Sequence, residues 1–566
     1  MQSHGTTPEV TAQAIKSTTR HGFLVALGWV AQRLNLVDVL NRHLRINQKT
    51  YTHTPVDKVV EALVAILGNC RYMKDLNFDP EPLVADPAVA QAWGQERFAH
   101  FSTVCATFSK LTEENVQQLS DALAEIQAPL LQQEVAAVAG PDRSGMVIVD
   151  IDLTGQKVRG ETRQYTGTNF GYIQGQLARG YQIAAAFLTG KQQRFAIDGL
   201  LKSGKANSRS GACLLELIPR VEARIGRPLR RVEWVEACLA QQKVRVRQLH
   251  QALQTVSGKG SARRKQKLQS ELQETVQVIR ELNHRLRQYR QDNQTNPAPL
   301  RIVLRADSAF GTPEVIQRLL ELGYEFTIKS YSGSNPAYKR LFDAVPAEGW
   351  VEVEKNRFAS EAVAVPGPTL LAPYPVRLVA MRRWDTDGRE VRSVILTTLQ
   401  TEALTTTEVV KLYHGRQTIE AGFQEWKGTF HFGAPRLRKY EANAAFTQLV
   451  LFAFNLVRWA WRYLSTSSSK LAEAKSRLLV RVAARCRATI RCIGDTLRLV
   501  FSRGTPLAGA EITLNRAVSY PCTFSTPRML LPALFGSDLT GDSVVRQLTR
   551  WFVARVGGGR PAGRPC

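Results

Sequence analysis

At residue 146 the apolar pattern of the chain changes period, and neither an all-helical nor an all-strand fold accommodates both sides of that change. Before it, FLVALGWVAQRLNLVDVL and VDKVVEALVAIL place apolar residues at three- and four-residue steps, with Thr54-Pro55 as cap and first-turn pair. Residues 1–140 therefore read as a helical N-terminal domain. After the change, MVIVDIDL is short and rich in β-branched residues, QKVRGETRQ alternates, and RGYQIAAAFLTG is a further apolar run, so three successive strands are expected. GACLLELIPRVEARIG returns to helical spacing, RIVLRAD reads as a strand, TPEVIQRLLELG as a capped helix and YEFTIKS as another strand. Three strands, helix, strand, helix, strand is the order of an α/β domain, a mixed sheet flanked by helices.

Two stretches interrupt this core, which divides it into residues 146–229 with 296–340 and, after the second interruption, helices at 403–466. Within 230–295, Leu239, Val246 and Leu253 recur every seven residues with Leu249 and Val256 beside them. Leu272, Ile279 and Leu286 do the same with Leu282 and Tyr289. The spacing predicts an antiparallel helical hairpin with a basic tip at Gly258 to Lys267, whose outer Lys and Arg either contact DNA or form a solvated face. Residues 341–402 read as a β-rich insertion: VRLVAMRRW and REVRSVILTT flank the turn Asp385-Thr386-Asp387-Gly388. Residues 467–566 are basic and fit either period, ending in a tail, VGGGRPAGRPC, expected to be disordered.

The charge narrows the class of partner. Lys and Arg outnumber Asp and Glu by 75 to 49, a formal +26, which points to a polyanion, nucleic acid before a membrane surface. The longest apolar helix candidate, Ala444 to Leu464, is interrupted by Gln448, Asn455 and Arg458 and reads as buried, so no membrane partner is expected. The N-terminal MQSHGTTPEVTAQ has no basic region followed by an apolar stretch, and a cytoplasmic location is expected. Eight scattered cysteines without a C-x-x-C pair argue against structural zinc and a disulfide framework.

Four acidic positions in three segments stand out against this background. Asp307 in LRADSAF follows a strand and faces the crevice where α/β sheets hold ligands, although it also fits an N-cap. Asp150 and Asp152 in VIVDIDLTG share one face of an otherwise apolar strand, which requires something cationic beside them. In LYHGRQTIEAGFQEWKG, Tyr413, Arg416, Glu420 and Lys427 fall within about a 60° arc if the segment is one helix. That face suits a phosphate group, with Glu on a metal and the others on a nucleic-acid backbone; an i,i+4 pair of Arg416 and Glu420 on a solvated face is the plainer alternative. Carboxylates Asp152, Asp307 and Glu420 brought together are the donor set of a two-metal phosphoryl-transfer site, with hard oxygens selecting Mg²⁺ or Mn²⁺ over zinc. None of the nine histidines lies in a zinc-hydrolase pattern.

The spacing Tyr413-x2-Arg416-x3-Glu420-x6-Lys427 resembles, at each position, the Y-(2)-R-(3)-E-(6)-K signature of the DDE transposases of bacterial insertion sequences. Among these the resemblance is specifically to the insertion-sequence-4 superfamily, whose signature this is, and most to the insertion sequence 1380 branch. RADSAF around Asp307 and Asp150-x-Asp152-x-Thr154 are similar to the family's second and first Asp motifs, with Asp152 preferred over Asp150 as the ligand. GLLKSGKANSRSGA, residues 199–212, is similar to the segment between them, with Lys205 where Asn is expected. The resemblance covers roughly residues 146 to 465. It implies an RNase H-like catalytic core, Mg²⁺-dependent cleavage at transposon ends, and attack of the freed 3′-OH on target DNA. It further implies a homodimer on paired inverted repeats, with Asp152, Asp307 and Glu420 as catalytic metal ligands. Tyr413, Arg416 and Lys427 then contact DNA, and Trp384 or Trp350 in the β-rich insertion is a candidate to stack on a flipped base, a packed hairpin Trp being the competing reading. The N-terminal helices would recognise a DNA end or dimerise. A catalytically idle DNA-binding protein derived from such an enzyme, or a nuclease that cuts without joining, are the alternatives.

Overall fold

The computed structural model describes residues 15–49, 52–158, 164–173, 175–258, 261–330, 341–361, 376–433, 435–493 and 496–515, the side chains at 15–16 and 207–210 excepted. The strands, in chain order, are β1 (Ile15–Thr19), β2 (Val147–Lys157), β3 (Asn169–Ile173), β4 (Gln176–Thr189), β5 (Arg194–Ser203), β6 (Ile302–Ala306), β7 (Glu325–Lys329) and β8 (Val351–Glu354). They continue with β9 (Arg357–Glu361), β10 (Arg377–Trp384), β11 (Glu390–Thr397), β12 (Ser465–Thr466), β13 (Ala488–Ile493), β14 (Thr496–Phe501) and β15 (Glu511–Asn515).

Among the described residues a ten-stranded mixed sheet forms the centre, in the order β3-β4-β2-β6-β7-β11-β10-β9-β8, with β5 also paired to β4. β2, β6 and β7 run parallel, and β4 is antiparallel to β2. The three interior strands are apolar on both faces apart from a few charged positions, as a sheet covered by helices on both sides requires. One face is closed by the helix Tyr440–Tyr463, which lies on β5 and on the helix Glu113–Ala139. Its polar interruptions have a structural cause. Asn455 accepts the Ala196 N–H and donates to the Ala196 carbonyl, both at 2.8 Å, and Gln448 donates to the Gly199 carbonyl at 2.7 Å. These amides satisfy the outer backbone groups of β5. Arg458 reaches the Glu425 carboxylate at 2.7 and 3.0 Å and ties this helix to the helix Thr418–Thr429. Among the described residues no single helix is long and apolar enough to cross a membrane.

Several sequence expectations change in the structure. The segment expected to be the first strand runs on through Gln156 and Lys157 as β2; the remainder of the expected second strand, 159–163, lies outside the described residues. β4 pairs with β2 along Gly180–Leu188, with β5 along Tyr181–Thr189 and with β3 along Gln176–Gly180. β5 includes Gly199 to Ser203 of the segment 199–212, and Lys205 stands in the 3₁₀ turn that follows. The β-rich stretch is not a separate sheet: β11 pairs antiparallel with β7, so β8 to β11 extend the central sheet outward. The Asp385–Arg389 turn closes β10 on β11 with Gly388 at φ 73°, a conformation Gly adopts without strain.

The N-terminal region is not wholly helical. β1, whose IKSTT is rich in β-branched residues, pairs with β13, and the sheet β1-β13-β14-β15-β12 joins the two ends of the described chain. The helices that follow, among them Gly22–Arg33, Leu36–His43 and Pro55–Leu67, share one continuous buried cluster with β2, β4 to β7 and the helix Tyr440–Tyr463. Thr54 and Asp57 form a reciprocal capping box with Pro55 in the first turn. The predicted hairpin consists of the helices Val232–Thr255 and Ser261–Gln294 packed on each other, with Leu239, Leu249, Leu282 and Tyr289 buried along the seam. Six cysteines among the described residues are free; Cys522, Cys566 and the expected disordered tail lie outside them.

One buried acid gives a pH-dependent stability. Glu61, on Pro55–Leu67, is fully buried; one of its oxygens accepts the Ala99 N–H at 2.9 Å, and the other has no partner among the described residues. Burial pushes its pKa up to about 8, with Asp57 adding to the shift and the Ala99 N–H and Lys58 opposing it. A raised carboxyl pKa contributes stability that is complete below the ordinary value and lost as the pH rises through about 8. Thermal unfolding from pH 5 to 9 should therefore show Glu61→Gln melting several degrees above the parent at pH 9 and with no such advantage at pH 5.

Candidate active site

The site is laid out by sheet register. Asp150 pairs with Arg305, and Arg305 with Thr327, across the parallel strands β2, β6 and β7. Two residues further along each strand, on the same face, stand Asp152, Asp307 and Lys329. Neighbouring strands lie about 4.8 Å apart, so the two aspartates are adjacent and the lysine is next in the row. Asp307 leaves β6 in an extended conformation and accepts the Ala309 N–H at 2.9 Å, capping a 3₁₀ turn, Ser308–Phe310. The N-cap expected from sequence is thus present, and it orients a carboxylate that also faces Asp152. Thr312 caps the next helix, Pro313–Glu321.

The paired acids strain each other electrostatically. Burial pushes the Asp152 carboxyl up to about 7, with repulsion from Asp307 adding to the shift and Arg416 opposing it. Asp307 is likewise raised, chiefly by burial, with Arg416, the Ala309 N–H and Lys329 pulling the other way. On the cationic side, burial lowers Lys329 and Lys427, and the negative charge of Asp307 on the first and Asp152 on the second partly offsets it. Two partly buried carboxylates ringed by Arg416, Lys329 and Lys427 form a concentrated charge cluster.

Asp150 differs from Asp152 although both face the same way. It is wholly buried, accepts from Arg305 Nε at 2.7 Å and Nη2 at 2.9 Å and from the Thr189 hydroxyl at 3.2 Å, and lies 3.0 Å from Arg194 Nη2. Its oxygens are committed to guanidinium groups. Arg305 also donates from Nη1 to the Leu412 carbonyl at 2.7 Å, which anchors the C-terminal end of the helix Thr406–His414 to the sheet. Gly415 permits that approach: a Cβ there would come within 2.5 Å of Arg305 Nη1.

The single helix expected from Tyr413 through Lys427 is broken. Thr406–His414 ends at Gly415, a 3₁₀ turn spans Gly415–Gln417, and a second helix, Thr418–Thr429, carries Glu420 and Lys427. The tighter turn changes the phase between Tyr413 and Glu420, and the four side chains no longer form one uniform face. Arg416, in the turn, becomes the hub. Its Nη1 donates to Asp152 Oδ2 at 2.8 Å, its Nη2 lies 4.0 Å from Glu420 Oε1, and its guanidinium carbon is 5.9 Å from the centre of the Tyr413 ring. Tyr413 is buried, Lys427 half-buried, and the Glu420 side chain 61% exposed. Arg416 Nε is buried and has no hydrogen-bond partner among the described residues.

The structure thus brings Asp152, Asp307, Arg416, Tyr413 and Lys427 together and leaves Glu420 at the rim, on the far side of Arg416. Among the described residues no three acidic, thiol or imidazole groups are already gathered in the arrangement of a metal site. Asp152 and Asp307 alone supply adjacent hard oxygen donors, and Glu420, on the first turn of its helix and free to change rotamer, is the third acid within reach of the same guanidinium. Lys329 escaped the sequence reading because only strand register places it in the row; its position at the end of YEFTIK, matching Asp307 at the end of RIVLRA, is the one available signal.

Trp384 lies at the outer end of β10, 41% exposed and edge-on to Phe358 at 5.6 Å. Trp350 stacks on Phe342 at 6.2 Å, and the Arg382 guanidinium sits 4.3 Å from the centre of the Trp350 ring and 5.4 Å from that of Trp384.

Residues 260–456 match the family model described as a transposase DDE domain. That span contains Asp307, Lys329, Tyr413, Arg416, Glu420 and Lys427, while Asp152 lies before it. No curated protein matches the chain. The match supports a DDE transposase, and with it an enzyme acting on DNA; a mixed sheet flanked by helices agrees with the core of such a protein.

Proposed function

We propose that the chain cleaves the ends of a mobile DNA element and joins them to target DNA, through a two-metal site on an RNase H-like core, as a member of the insertion-sequence-4 superfamily close to the insertion sequence 1380 branch. The observation that supports this reading above all is the adjacency of Asp152 and Asp307, both partly buried, with the charge of Asp307 raising the Asp152 carboxyl, beside an arginine that reaches a third carboxylate. Oxygen donors alone fit Mg²⁺, with Mn²⁺ as a substitute, and Asp152, Asp307 and Glu420 are the residues that would hold it. When bound, the cations activate the attacking oxygen and stabilise the leaving one.

The protein's own groups position the substrate. Arg416 holds Asp152 in place, and its guanidinium adds positive charge beside the carboxylates where a phosphate would lie. Lys329 and Lys427 flank the acids from the sheet and from the helix, and Tyr413 supports Arg416 from below. Asp150, Arg305 and Arg194 form the charged floor that fixes β2 against β6. The partner is duplex DNA, the element's terminal inverted repeats and its target, and joining two ends calls for two copies of the chain acting together.

The test is Mg²⁺-dependent cleavage of labelled end DNA from the sequence flanking the coding region, followed by a search for strand-transfer products. A gel shift with no cleavage in Mg²⁺ or Mn²⁺ contradicts the reading; cleavage without joining reduces it to a nuclease. Lys329→Ala should lower the cleavage rate by about 100-fold with little change in DNA affinity, since the lysine acts where charge develops. Lys329→Arg should recover part of the loss.

A further inference from the structure

The helical hairpin has a charge asymmetry that the site does not use. From Ala237 to Ser270 the chain carries eight Lys and Arg residues and no Asp or Glu. Of the acids of the hairpin, Glu233, Glu236, Glu281 and Asp292 lie on the half nearer the core, while Glu271 and Glu274 lie further out, where Glu271 pairs with Arg245. Several of these hold basic residues of the root: Glu236 pairs with Arg290 at 2.6 Å, and Asp292 with Arg230 at 3.2 Å. Toward the far end Arg247, Arg263, Arg264, Lys265 and Lys267 are exposed, as is Lys243 about one turn nearer the core, and none of these six is in an ion pair among the described residues.

The arm also has reach. Trp234, Val235 and Tyr289 are buried at its root, where Arg285 and Tyr289 meet Glu321 of the helix Pro313–Glu321. Its first helix has 24 residues, which at 1.5 Å per residue is about 36 Å. The root adjoins the start of β6, with Leu300 bonded to Arg227, and Asp307 follows the opposite end of that strand. The basic end is therefore remote from the carboxylates, and its role is separate from their chemistry. A second copy of the arm would meet it with like charge, and a protein partner would need an acidic face; a phosphate backbone supplies its complement on any sequence.

We propose that the distal half of this hairpin is a DNA-backbone clamp, binding duplex DNA about one helical turn or more from the bond that is cut and contributing affinity without sequence readout. It rests on the reading of the chain as acting on DNA. Neutralising four phosphate contacts releases their counterions, so the slope of log affinity against log salt should change by about 3 to 4 on removing Arg263, Arg264, Lys265 and Lys267.

The experiment compares the full-length parent with the quadruple variant R263Q/R264Q/K265Q/K267Q on a duplex of about 15 bp covering the cut site and on one extended by at least about 30 bp. The expected result is a ten-fold or greater loss of affinity and a shallower salt slope on the long duplex only, with the cleavage rate at saturating protein unchanged. The variant K243Q/R247Q, on the facing helix, should lose about half as much slope. Unchanged affinity and slope on the long duplex overturn the clamp, as does an equal loss on both duplexes. A parent that binds but never cuts, with the long-duplex difference intact, removes the catalytic reading and leaves the clamp standing.

Discussion

Asp307→Asn and Asp152→Asn should each lower Mg²⁺-dependent cleavage of end DNA by at least about 10³-fold while the protein still folds and still binds that DNA. The expectation follows from what the two carboxylates do in the fold. Neither is the sole counterion of a fully buried cation: Asp307 accepts one backbone N–H, and Asp152 accepts one bond from Arg416, which keeps 11% of its side chain exposed and has the Glu420 carboxylate 4.0 Å away. Each raises the charge density felt by the other, so an amide of the same shape relieves repulsion. Urea unfolding without divalent ions should show neither variant less stable than the parent by more than about 1 kcal/mol. Glu420→Gln should match them in activity, and its exposed carboxylate gives no reason for a change in stability.

Arg305→Met should behave in the opposite way, lowering stability by about 3 to 5 kcal/mol in urea unfolding before any assay of activity. It leaves Asp150 buried with Arg194 as its remaining guanidinium and removes the donor from the Leu412 carbonyl. Asp150→Asn should also destabilise, because Arg305 and Arg194 then lack their counterion. Replacing Asp150 by Leu and Arg305 by Met together should recover much of the loss, since no lone charge is left behind. These opposite phenotypes, two positions apart on one strand, separate a structural aspartate from a functional one.

What the sequence reveals of this site depends on how local the information is. Asp307 and Asp152 are legible because each breaks an apolar strand pattern, and an acid in such a strand needs a reason. The pattern could not say which of Asp150 and Asp152 is already neutralised; that depends on Arg305, 155 residues from Asp150. Lys329 is illegible for the same reason, its place being set by the register of β6 on β7. The signature from Tyr413 to Lys427 keeps its spacing while the backbone beneath it tightens to a 3₁₀ turn at Gly415, a position that Arg305, remote in sequence, approaches too closely for a Cβ.

The same division runs through the fold. Helices with strong caps, such as Pro55–Leu67 and Pro313–Glu321, follow from their own residues. β1 pairs with β13 at Ile15 and Cys492, a partnership no local pattern carries. The turn at Gly388 marks the β10–β11 hairpin, yet only the pairing of β11 with β7 shows that the hairpin continues the central sheet. Gln448 and Asn455 read as flaws in an apolar helix until β5 is seen beneath them.

The most direct measurement is the anomalous scattering of Mn²⁺ in crystals of the protein bound to its end DNA. The account predicts manganese coordinated by Asp152 and Asp307 at the roughly 2.1 to 2.3 Å typical of hard cations, with Glu420 turned from Arg416 to join them. Manganese bound elsewhere, with Asp152 still on Arg416 and Glu420 still facing solvent over an engaged DNA end, would contradict it.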